Sequence, residues 1–397
     1  MKANLVAIKD CVVKAKTWNP VVEAKDENIT YIDIAAVDKD LKKIVEPTLC
    51  LGAEAPSRAR QLVQTNDVLV STVRPNLNSV AVVTEEFNGA TASTGYTVLR
   101  PLPEILDTQY LFHWVKTNHF INEMIKLATG QSYPAVSDKI ILNSKIPLPP
   151  LAEQRRIASI LDQADELRQK RQQAIEKLDQ LLQATFIDMF GDPVSNPKGW
   201  DLVRVGEVVD EFIGGKNIEC PDESDSDYKI LKVSAVTSKV YKPNESKFAP
   251  NTFEPNPLAI VEKGDLLFSR ANTTELVAAT AYVWETPENI VLPDKLWKFS
   301  ISDESKVNKL YLWDLFKNIE FRNELSKLSS GTSGSMKNIS KGKLNELKMP
   351  LPPKELQDKF AEFSTKLWGQ IKTFQQSSDS LDSLFNSLQN QAFNGTL

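Results

Sequence analysis

The fold is decided by residues 146–161, Ile146-Pro-Leu-Pro-Pro-Leu-Ala-Glu-Gln-Arg-Arg-Ile-Ala-Ser-Ile-Leu161, and by the stretch that follows them. No glycine or proline occurs between Leu151 and Phe190. Proline suits the first turn of a helix, and Gly191-Asp192-Pro193 is a typical helix stop. The pattern therefore predicts one uninterrupted helix, about 60 Å long at a rise of about 1.5 Å per residue.

A second stretch of the same character closes the chain, from about Lys354 to Phe393. In both stretches apolar side chains recur at alternating steps of three and four residues, as in a coiled coil. The predicted helix–helix seam consists of Ile157, Ile160, Leu167, Leu178 and Leu181 on the first helix, and of Phe360, Phe363, Leu367, Phe374, Leu381, Leu384 and Leu388 on the second. Each helix must bury its apolar stripe, and a globular segment lies between them, so we predict that they pack antiparallel.

The chain also repeats itself at about half its length. Tyr110-Leu111 recurs as Tyr311-Leu312, 201 positions later, and Pro147-Leu-Pro-Pro150 recurs as Pro350-Leu-Pro-Pro353, 203 positions later. Upstream, Asp67-Val-Leu-Val-Ser71 corresponds to Asp265-Leu-Leu-Phe-Ser269 at an offset of 198. An ordered series of matches with so little drift indicates an internal duplication.

The leading part of each copy combines short segments rich in β-branched residues, bounded by Asn, Asp, Gly and Pro, with a helical pattern near its end. We therefore predict an α+β protein. In it, two similar mixed α/β domains are separated by two long antiparallel coiled-coil helices and form a pseudo-twofold internal repeat. The predicted segments are residues 1–148 (first domain), 149–192 (first long helix), 193–351 (second domain) and 352–397 (second long helix).

Composition excludes several classes of protein. The 397 residues are 41% hydrophobic and 25% charged, which is typical of a globular protein. A net charge of −5 argues against DNA binding through bulk positive charge, although it is compatible with a local basic face. Cys11, Cys50 and Cys220 are too far apart for a disulfide framework, which favours a reducing compartment, the cytoplasm. We find no secretory signal and no apolar run of about 18 residues, and expect no membrane partner.

The motifs of common enzyme classes are absent from the sequence. There is no P-loop, no dinucleotide-binding glycine motif and no zinc-binding pattern of histidines or cysteines. The two histidines, His113 and His119, are six residues apart, so they lie on nearly opposite faces of a helix and cannot share a metal. We therefore predict no catalytic residue, no metal site and no cofactor bound by this chain.

Arginine and amide side chains in loops indicate nucleic-acid binding instead. Arginine reads guanine and asparagine or glutamine reads adenine through paired hydrogen bonds, whereas lysines, hydroxyls and glycine-rich backbone suit phosphates. Arg270 follows the second-copy strand that corresponds to the strand before Arg74. The candidate DNA-binding residues are Arg58, Arg60, Arg74, Asn76, Asn78, Gln131, Ser132, Tyr133, Arg270, Asn272, Thr273, Thr332, Ser333, Ser335 and Lys337. For each of them, a solvated surface loop is the alternative interpretation.

Over essentially its whole length the chain resembles the specificity subunits of type I restriction-modification systems. The resemblance rests on residues 146–161 and their continuation to Phe190-Gly191-Asp192, on the looser copy at 349–357, and on residues 55–60 and 67–75. It implies that each domain reads one half of a split double-stranded DNA target and that the helices act as a ruler. It further implies that two methylation subunits bring S-adenosylmethionine, that restriction subunits with ATP and Mg can join, and that this chain is not an enzyme.

Two other classes stay open on the residues alone. A coiled-coil adaptor that binds only proteins would carry a uniformly acidic surface, whereas a DNA reader needs a positive concave face on each domain. An autonomous nuclease or methyltransferase would act on DNA as a single chain with magnesium, ATP or S-adenosylmethionine. A specificity subunit alone is expected to be inert under those conditions.

Overall fold

The computed structural model describes residues 4–221, 223–331 and 337–397. The chain divides into two compact units, one made of Met1–Gln172 with Gln376–Leu397 and the other of Gln173–Gln375. Each unit therefore holds one globular domain and one part of each long helix. The residue boundaries that we predict for the four segments stay predictions.

The first unit is a mixed α/β domain. Its strands are β1 (Asn4–Ala7), β2 (Val12–Lys14), β3 (Lys16–Thr17), β4 (Asn28–Ile32), β5 (Val37–Asp38), β6 (Lys43–Ile44), β7 (Thr48–Leu51), β8 (Ala59–Leu62), β9 (Val68–Ser71), β10 (Val80–Val82), β11 (Thr91–Ser93), β12 (Tyr96–Pro101) and β13 (Lys145–Leu148). Its helices are α1 (Pro20–Glu23), α2 (Thr108–Val115), α3 (Asn118–Leu127), α4 (Asp138–Asn143) and the first part of α5 (Leu151–Phe190). Its two larger sheets have the orders β10-β9-β12-β2 and β3-β8-β11-β4-β7, the latter with β4 and β11 parallel, and β1-β13 and β5-β6 form two-stranded sheets.

The second unit repeats this plan. Its strands are β14 (Leu202–Arg204), β15 (Glu211–Gly214), β16 (Lys229–Leu231), β17 (Ser246–Phe248), β18 (Leu266–Ser269), β19 (Ala271–Asn272), β20 (Thr280–Tyr282), β21 (Ile290–Val291), β22 (Leu296–Ser300), β23 (Lys337–Asn338) and β24 (Lys348–Pro350). Its helices are the last part of α5, α6 (Ser234–Thr237), α7 (Lys309–Lys317), α8 (Ile319–Lys327), α9 (Lys341–Glu346) and the first part of α10 (Lys354–Asn394). The sheet β15-β22-β18-β20 matches the four-stranded sheet of the first unit, and β17-β16-β21 keeps the parallel pair of its larger sheet.

The two copies agree in register as well as in topology. Leu5 lies opposite Pro147 in the β1–β13 pair, and Leu202 lies opposite Pro350 in the β14–β24 pair. Asp107 caps the N-terminus of α2, where its carboxylate accepts a hydrogen bond from a backbone N–H of the first turn, and the side-chain oxygen of Asn308 caps α7 in the same way. The predicted α+β fold with two similar domains is confirmed.

A buried glutamine joins each domain to its long helix. The Gln154 side chain accepts a hydrogen bond from the backbone N–H of Asp107 (2.9 Å) and donates to the carbonyls of Ile105 and Pro149 (both 2.9 Å). Gln357, 203 positions later, makes the same three contacts in the second unit, with Asn308, Lys306 and Pro352. Both glutamines are fully buried. The duplication therefore extends to individual side-chain networks.

The long helices pack against each other inside both units. In the first unit, Ile157 and Leu161 near the start of α5 share a core with Phe385 near the end of α10. In the second unit, Phe186 near the end of α5 lies against Phe360 near the start of α10, with ring centroids 5.5 Å apart. Since the start of one helix meets the end of the other in each unit, the predicted antiparallel packing is confirmed.

The predicted seam is wrong at three positions. Leu167, Leu181 and Leu384 have 54%, 48% and 51% of their surface exposed. A strict heptad pattern assumes that each long helix packs only against the other one. Each half-helix also packs against α2 or α7 of its own domain, so the residues that it buries differ from those of a simple coiled coil. The other predicted seam residues are buried (Ile157, Phe360 and Leu367) or half-buried (Ile160, Leu178, Phe363, Phe374, Leu381 and Leu388).

A buried titratable residue lies at equivalent positions of α2 and α7. His113 Nε2 is 2.7 Å from Asp162 Oδ1, and burial lowers the pKa of His113 below its usual value. Asp314, 201 positions later, is fully buried, which raises its pKa from 3.8 to about 6 although Lys317 Nζ lies 3.5 Å away. The equivalent buried position therefore holds an imidazole in the first domain and a carboxylate in the second.

We expect Asp314→Asn to stabilise the protein at neutral pH. Because the folded-state pKa of Asp314 lies above its unfolded value, folding binds a proton and stability falls as the pH rises from about 4 to about 6. The amide removes this loss, and Lys317 keeps Asp179 as a partner at 3.5 Å. The expected gain at pH 8 is about 1–3 kcal/mol, measured by denaturant unfolding between pH 4.5 and 8. Asp188→Asn, at an exposed carboxylate of α5, is the control, and an equal pH dependence in wild type and Asp314→Asn would contradict this account.

Candidate nucleic-acid interface

Two loops of the first domain that are far apart in sequence meet at one edge. We name residues 73–78 the arginine loop and residues 128–135 the glycine loop. Val73 and Ala135 form an antiparallel bridge, and the backbone N–H of Arg74 donates to the carbonyl of Pro134 at 2.7 Å. The structure thus brings together two of the segments in which the sequence predicts DNA-binding residues.

Arg74 and Tyr133 are in direct contact at this edge. The guanidinium carbon of Arg74 lies 4.6 Å from the centre of the Tyr133 ring, within the range of a cation–π contact. Tyr133 is 68% exposed, and Arg74 is exposed as well. Arg74 has a φ of 49°, a left-handed conformation that is uncommon for residues other than glycine.

The turn below Tyr133 requires a glycine. Gly130 has a φ of 100°, and a Cβ atom there would lie 3.0 Å from the carbonyl oxygen of Tyr133. Asn76, Gln131 and Ser132 are exposed in the same two loops. These side chains are available to a ligand, and their predicted role in DNA binding stays a prediction.

Asn78 is engaged within the protein. Its side-chain amide donates to the carbonyl of Val115 at 2.9 Å, and its own carbonyl accepts from the ammonium of Lys42. Burial, reinforced by the nearby charge of Lys116, lowers the pKa of Lys42 to about 8. Lys42, which the sequence analysis missed because it lies in a distant hairpin, therefore helps to hold the arginine loop.

Arg58 and Arg60 lie on a third chain segment near the arginine loop. Residues 94–95 form hydrogen bonds both to this segment and to Thr72, just before the arginine loop. The carbonyl of Arg58 accepts from Thr94 N–H, and the carbonyl of Gly95 accepts from Thr72 N–H, both at 2.9 Å. The Arg58 side chain is exposed, whereas Arg60 is half-buried and donates to the neighbouring carbonyl of Ala59. Of these two arginines, Arg58 is the one that faces solvent.

Strand pairing sets the equivalences in the second domain. Ala271 pairs with Asn338 as Val73 pairs with Ala135, so the counterpart of Arg74 is Asn272. The carbonyl of Arg270 accepts from Ile339 N–H as the carbonyl of Thr72 accepts from Val136 N–H. Arg270 therefore occupies the position of Thr72, two residues before the position of Arg74.

The guanidinium of Arg270 is held by its own domain. Its Nε donates to the carbonyl of Asp294 at 2.7 Å, its Nη1 donates to Oδ1 of Asn338 at 2.9 Å, and its Nη2 lies 3.5 Å from the Asp294 carboxylate. This set of contacts joins the segments around residues 294 and 338. Arg270 is therefore built into the support of the second interface, and direct DNA contact by it stays a prediction.

The remaining predicted residues of the second domain differ in their placement. Asn272 is half-buried, and its side-chain oxygen accepts from the backbone N–H of Thr273 at 2.8 Å. Lys337 donates to the carbonyl of Gly331 at 2.9 Å. Thr273 is half-buried as well, and the last three candidates, Thr332, Ser333 and Ser335, lie outside the described residues.

We expect Arg270→Ala to destabilise the second domain by about 1–2 kcal/mol, because two hydrogen bonds and an ion pair disappear. Hydrogen exchange should increase in peptides that contain Asp294 and Asn338, with a lower Tm. Lys263→Ala, which removes an exposed cation of the same domain, serves as the matched control. Unchanged protection in Arg270→Ala would show that Arg270 has no supporting role.

Among residues 4–221, 223–331 and 337–397, no group of three or more His, Cys, Asp and Glu side chains is arranged to hold a metal ion. Within the same ranges, no helix is long and apolar enough to cross a bilayer. What the geometry provides is exposed cationic, amide and aromatic side chains on paired loops, which suits contact with nucleic acid.

Comparison with known proteins decides the family. Residues 53–177 and 197–382 match the model of the type I restriction modification DNA specificity domain. The chain belongs to the type I restriction-modification DNA specificity family. The two matched stretches correspond to the two copies of the internal repeat, so the specificity domain occurs here twice.

Individual specificity proteins resemble the chain over different lengths. The type I restriction enzyme MjaVIII specificity subunit of Methanocaldococcus jannaschii is 29% identical over 276 residues, 65% of this chain and 63% of that protein. The EcoEI specificity subunit of Escherichia coli is 30% identical over 42% of this chain and 28% of its own length. The matches thus span less than two thirds of these two relatives. A chain from a solved structure on complex assembly and conformational transition of the type I R-M system is 25% identical, with a TM-score of 0.57 over 99% of this chain and 98% of that chain.

Proposed function

We propose that this chain is a non-catalytic DNA sequence-recognition subunit of a type I restriction-modification complex. Each globular domain reads one half of a bipartite, asymmetric target in double-stranded DNA. The long helices set the spacing between the half-sites. The observation that carries this proposal is the pair of domains with equivalent scaffolds and different residues, Arg74 and Asn272, at the same loop position.

Equivalent scaffolds with different loops favour two related but unequal half-sites. Gln154 and Gln357 make the same three contacts, and the strands that support the loops pair in the same register. At the loops themselves, Arg74 in the first domain is replaced by Asn272 in the second. These two side chains differ in charge and in hydrogen-bonding groups, so the two domains are expected to read different sequences.

The exposed leucines of the long helices support a docking role for them. Leu167, Leu181 and Leu384 point away from the cores of their units although they belong to amphipathic helices. A contiguous apolar patch that a fold leaves exposed often marks a surface that a partner covers. We assign these faces to two methylation subunits.

Catalysis and much of the phosphate contact then belong to the partners. With a net charge of −5, the chain alone is expected to bind DNA weakly, and we assign much of the phosphate contact to the methylation subunits. S-adenosylmethionine resides on the methylation subunits, and ATP and Mg on restriction subunits where these join. The complex acts in the cytoplasm, where the DNA is.

Adenine methylation mapped across the genome, with this gene present and deleted, tests the proposed function. One split motif is expected to lose its methylation on deletion, and expression of the gene from a plasmid should restore it. An unchanged methylation pattern in cells that make the chain and its methylation subunit would refute the proposal. Purified chain alone should leave DNA unmodified and uncut in the presence of magnesium, ATP or S-adenosylmethionine.

A further inference from the structure

Arg74 differs from the other predicted DNA-binding arginines in having both free donors and a fixed position. Among the described residues, none accepts a hydrogen bond from its guanidinium, whereas Arg60 and Arg270 donate to carbonyl or amide oxygens of the protein. Arg58 is exposed too, but no aromatic ring supports it in the part of the chain that the structure describes. Arg74 is thus a cation prepared for a ligand that the protein itself does not supply.

The position of Arg74 is set by three contacts. Its backbone N–H is bonded to the carbonyl of Pro134, its neighbour Val73 pairs with Ala135, and its guanidinium lies 4.6 Å from the Tyr133 ring centre. Arg74 also has a left-handed backbone conformation, with a φ of 49°. An arginine that is ordered before binding loses less conformational entropy when it docks.

The hydrogen-bonding groups of the Arg74 guanidinium are available to a ligand. The guanidinium carbon lies 4.6 Å from the centre of the Tyr133 ring, and none of the described residues accepts a hydrogen bond from its five N–H groups, which lie in one plane. Two parallel N–H groups match the O6 and N7 acceptors of guanine in the major groove. A phosphate would accept the same fork, but it needs no aromatic support to fix the direction of approach.

We infer that Arg74, held on the ring of Tyr133, reads a guanine in the major groove of the half-site bound by the first domain. This inference rests on the proposed function and names the chemistry of one of its two sites. Tyr133 acts as a positioning residue, because its ring orients the guanidinium without itself selecting the base. Arg58, which is exposed, serves as the comparison, because a phosphate contact is expected of it.

The test uses the complete complex with methylation subunits and duplexes that carry the mapped motif. Each base pair of both half-sites is varied singly, and relative binding and methylation are measured. Arg74→Gly is the decisive variant, since glycine adopts a φ of 49° without strain and preserves the loop. We expect its preference for one G·C pair in one half-site to fall by about ten- to a hundredfold, with the other positions unchanged.

Variants of Tyr133 separate positioning from general damage. Tyr133→Phe keeps the ring and is expected to retain the guanine preference, whereas Tyr133→Leu should lose much of it without a change in Tm. Tyr133→Leu leaves Arg74 intact, so it also tests the guanine preference if the Arg74→Gly variant fails to fold. Arg58→Ala, in contrast, should weaken all duplexes alike and lower the slope of log K against log salt by about one.

Each result decides the inference. Uniform weakening by Arg74→Gly with a reduced salt slope would identify a phosphate contact and overturn guanine reading. Unchanged preferences at every position would exclude Arg74 from recognition while leaving the proposed function intact. A wild-type complex without preference at any base pair of either half would refute the proposed function and, with it, this inference.

Discussion

Gln154→Leu is expected to lower the stability of the first unit by about 3–5 kcal/mol. Leucine fills a similar volume but makes no hydrogen bond, so the N–H of Asp107 and the carbonyls of Ile105 and Pro149 lose their partner inside the protein. Each buried polar group left without a partner costs about 1–3 kcal/mol. Denaturant titration followed by hydrogen exchange, peptide by peptide, measures the loss in the unit that contains the change.

The duplicated glutamine provides a matched comparison. Gln357→Leu should produce a loss of similar size in the second unit, because its three contacts are the same. Gln163→Leu, at an exposed position of the same helix α5, is expected to change stability by less than about 0.5 kcal/mol. A loss below about 1 kcal/mol for Gln154→Leu would mean that water replaces the amide and that this network does not join the domain to its helix.

Arg100→Ala is expected to cost about 3–5 kcal/mol, because it leaves the carboxylate of Asp67 buried without its cation. Arg100 binds Asp67 through two parallel hydrogen bonds of 2.8 Å, and Asp67 is fully buried. The carboxylate of Asp67 raises the pKa of Arg100 above its already high value, so the cation stays charged throughout the accessible pH range. Chemical unfolding at pH 7 measures the loss.

The second copy suggests the control for this ion pair. Asp265 and Lys298 occupy the corresponding positions, 198 residues later, with Nζ and Oδ2 3.1 Å apart. Arg100→Lys therefore reproduces the chemistry of the second domain and is expected to recover more than half of the stability lost in Arg100→Ala. If lysine and alanine were equally harmful, the paired geometry of arginine rather than charge compensation would be the essential feature.

Features that depend on local sequence were predictable. The prolines before Leu151 and the glycine after Phe190 mark the ends of α5, which the structure places at those two residues. The repeated Tyr-Leu and Pro-Leu-Pro-Pro motifs indicate the duplication, and in each copy the two motifs are joined by a hydrogen bond. Tyr110 and Tyr311 donate to the carbonyls of Pro147 and Pro350 at 2.8 and 2.7 Å.

Features that depend on long-range packing were not predictable. Leu167 and Leu181 fit a heptad pattern. Which side of the helix is buried, however, depends on how each half-helix packs against its domain, and this packing cannot be predicted from the local sequence. The true stripe includes Leu161, Leu182 and Phe190, which follow the 3.6-residue period of a helix packed on more than one partner.

The candidate interface was predictable as a set of loops but not as an arrangement. Val73 and Ala135 are 62 residues apart, and their pairing, with the hydrogen bond from Arg74 N–H to Pro134, brings Arg74 next to Tyr133. In the second domain, the resemblance of the strands suggests Arg270 as the counterpart of Arg74. Because Ala271 pairs with Asn338, the residue at the position of Arg74 is Asn272 instead. The residue types thus predicted a nucleic-acid interface, whereas the residues that lie together in it depend on how distant strands pair.

Hydroxyl-radical footprinting of the assembled complex on its mapped DNA target tests most directly whether two domains read two separate half-sites. We predict two protected patches separated by an unprotected stretch, with Arg74→Gly weakening only the patch that belongs to the first domain. One continuous protected region, or protection that does not depend on the motif, would contradict the account.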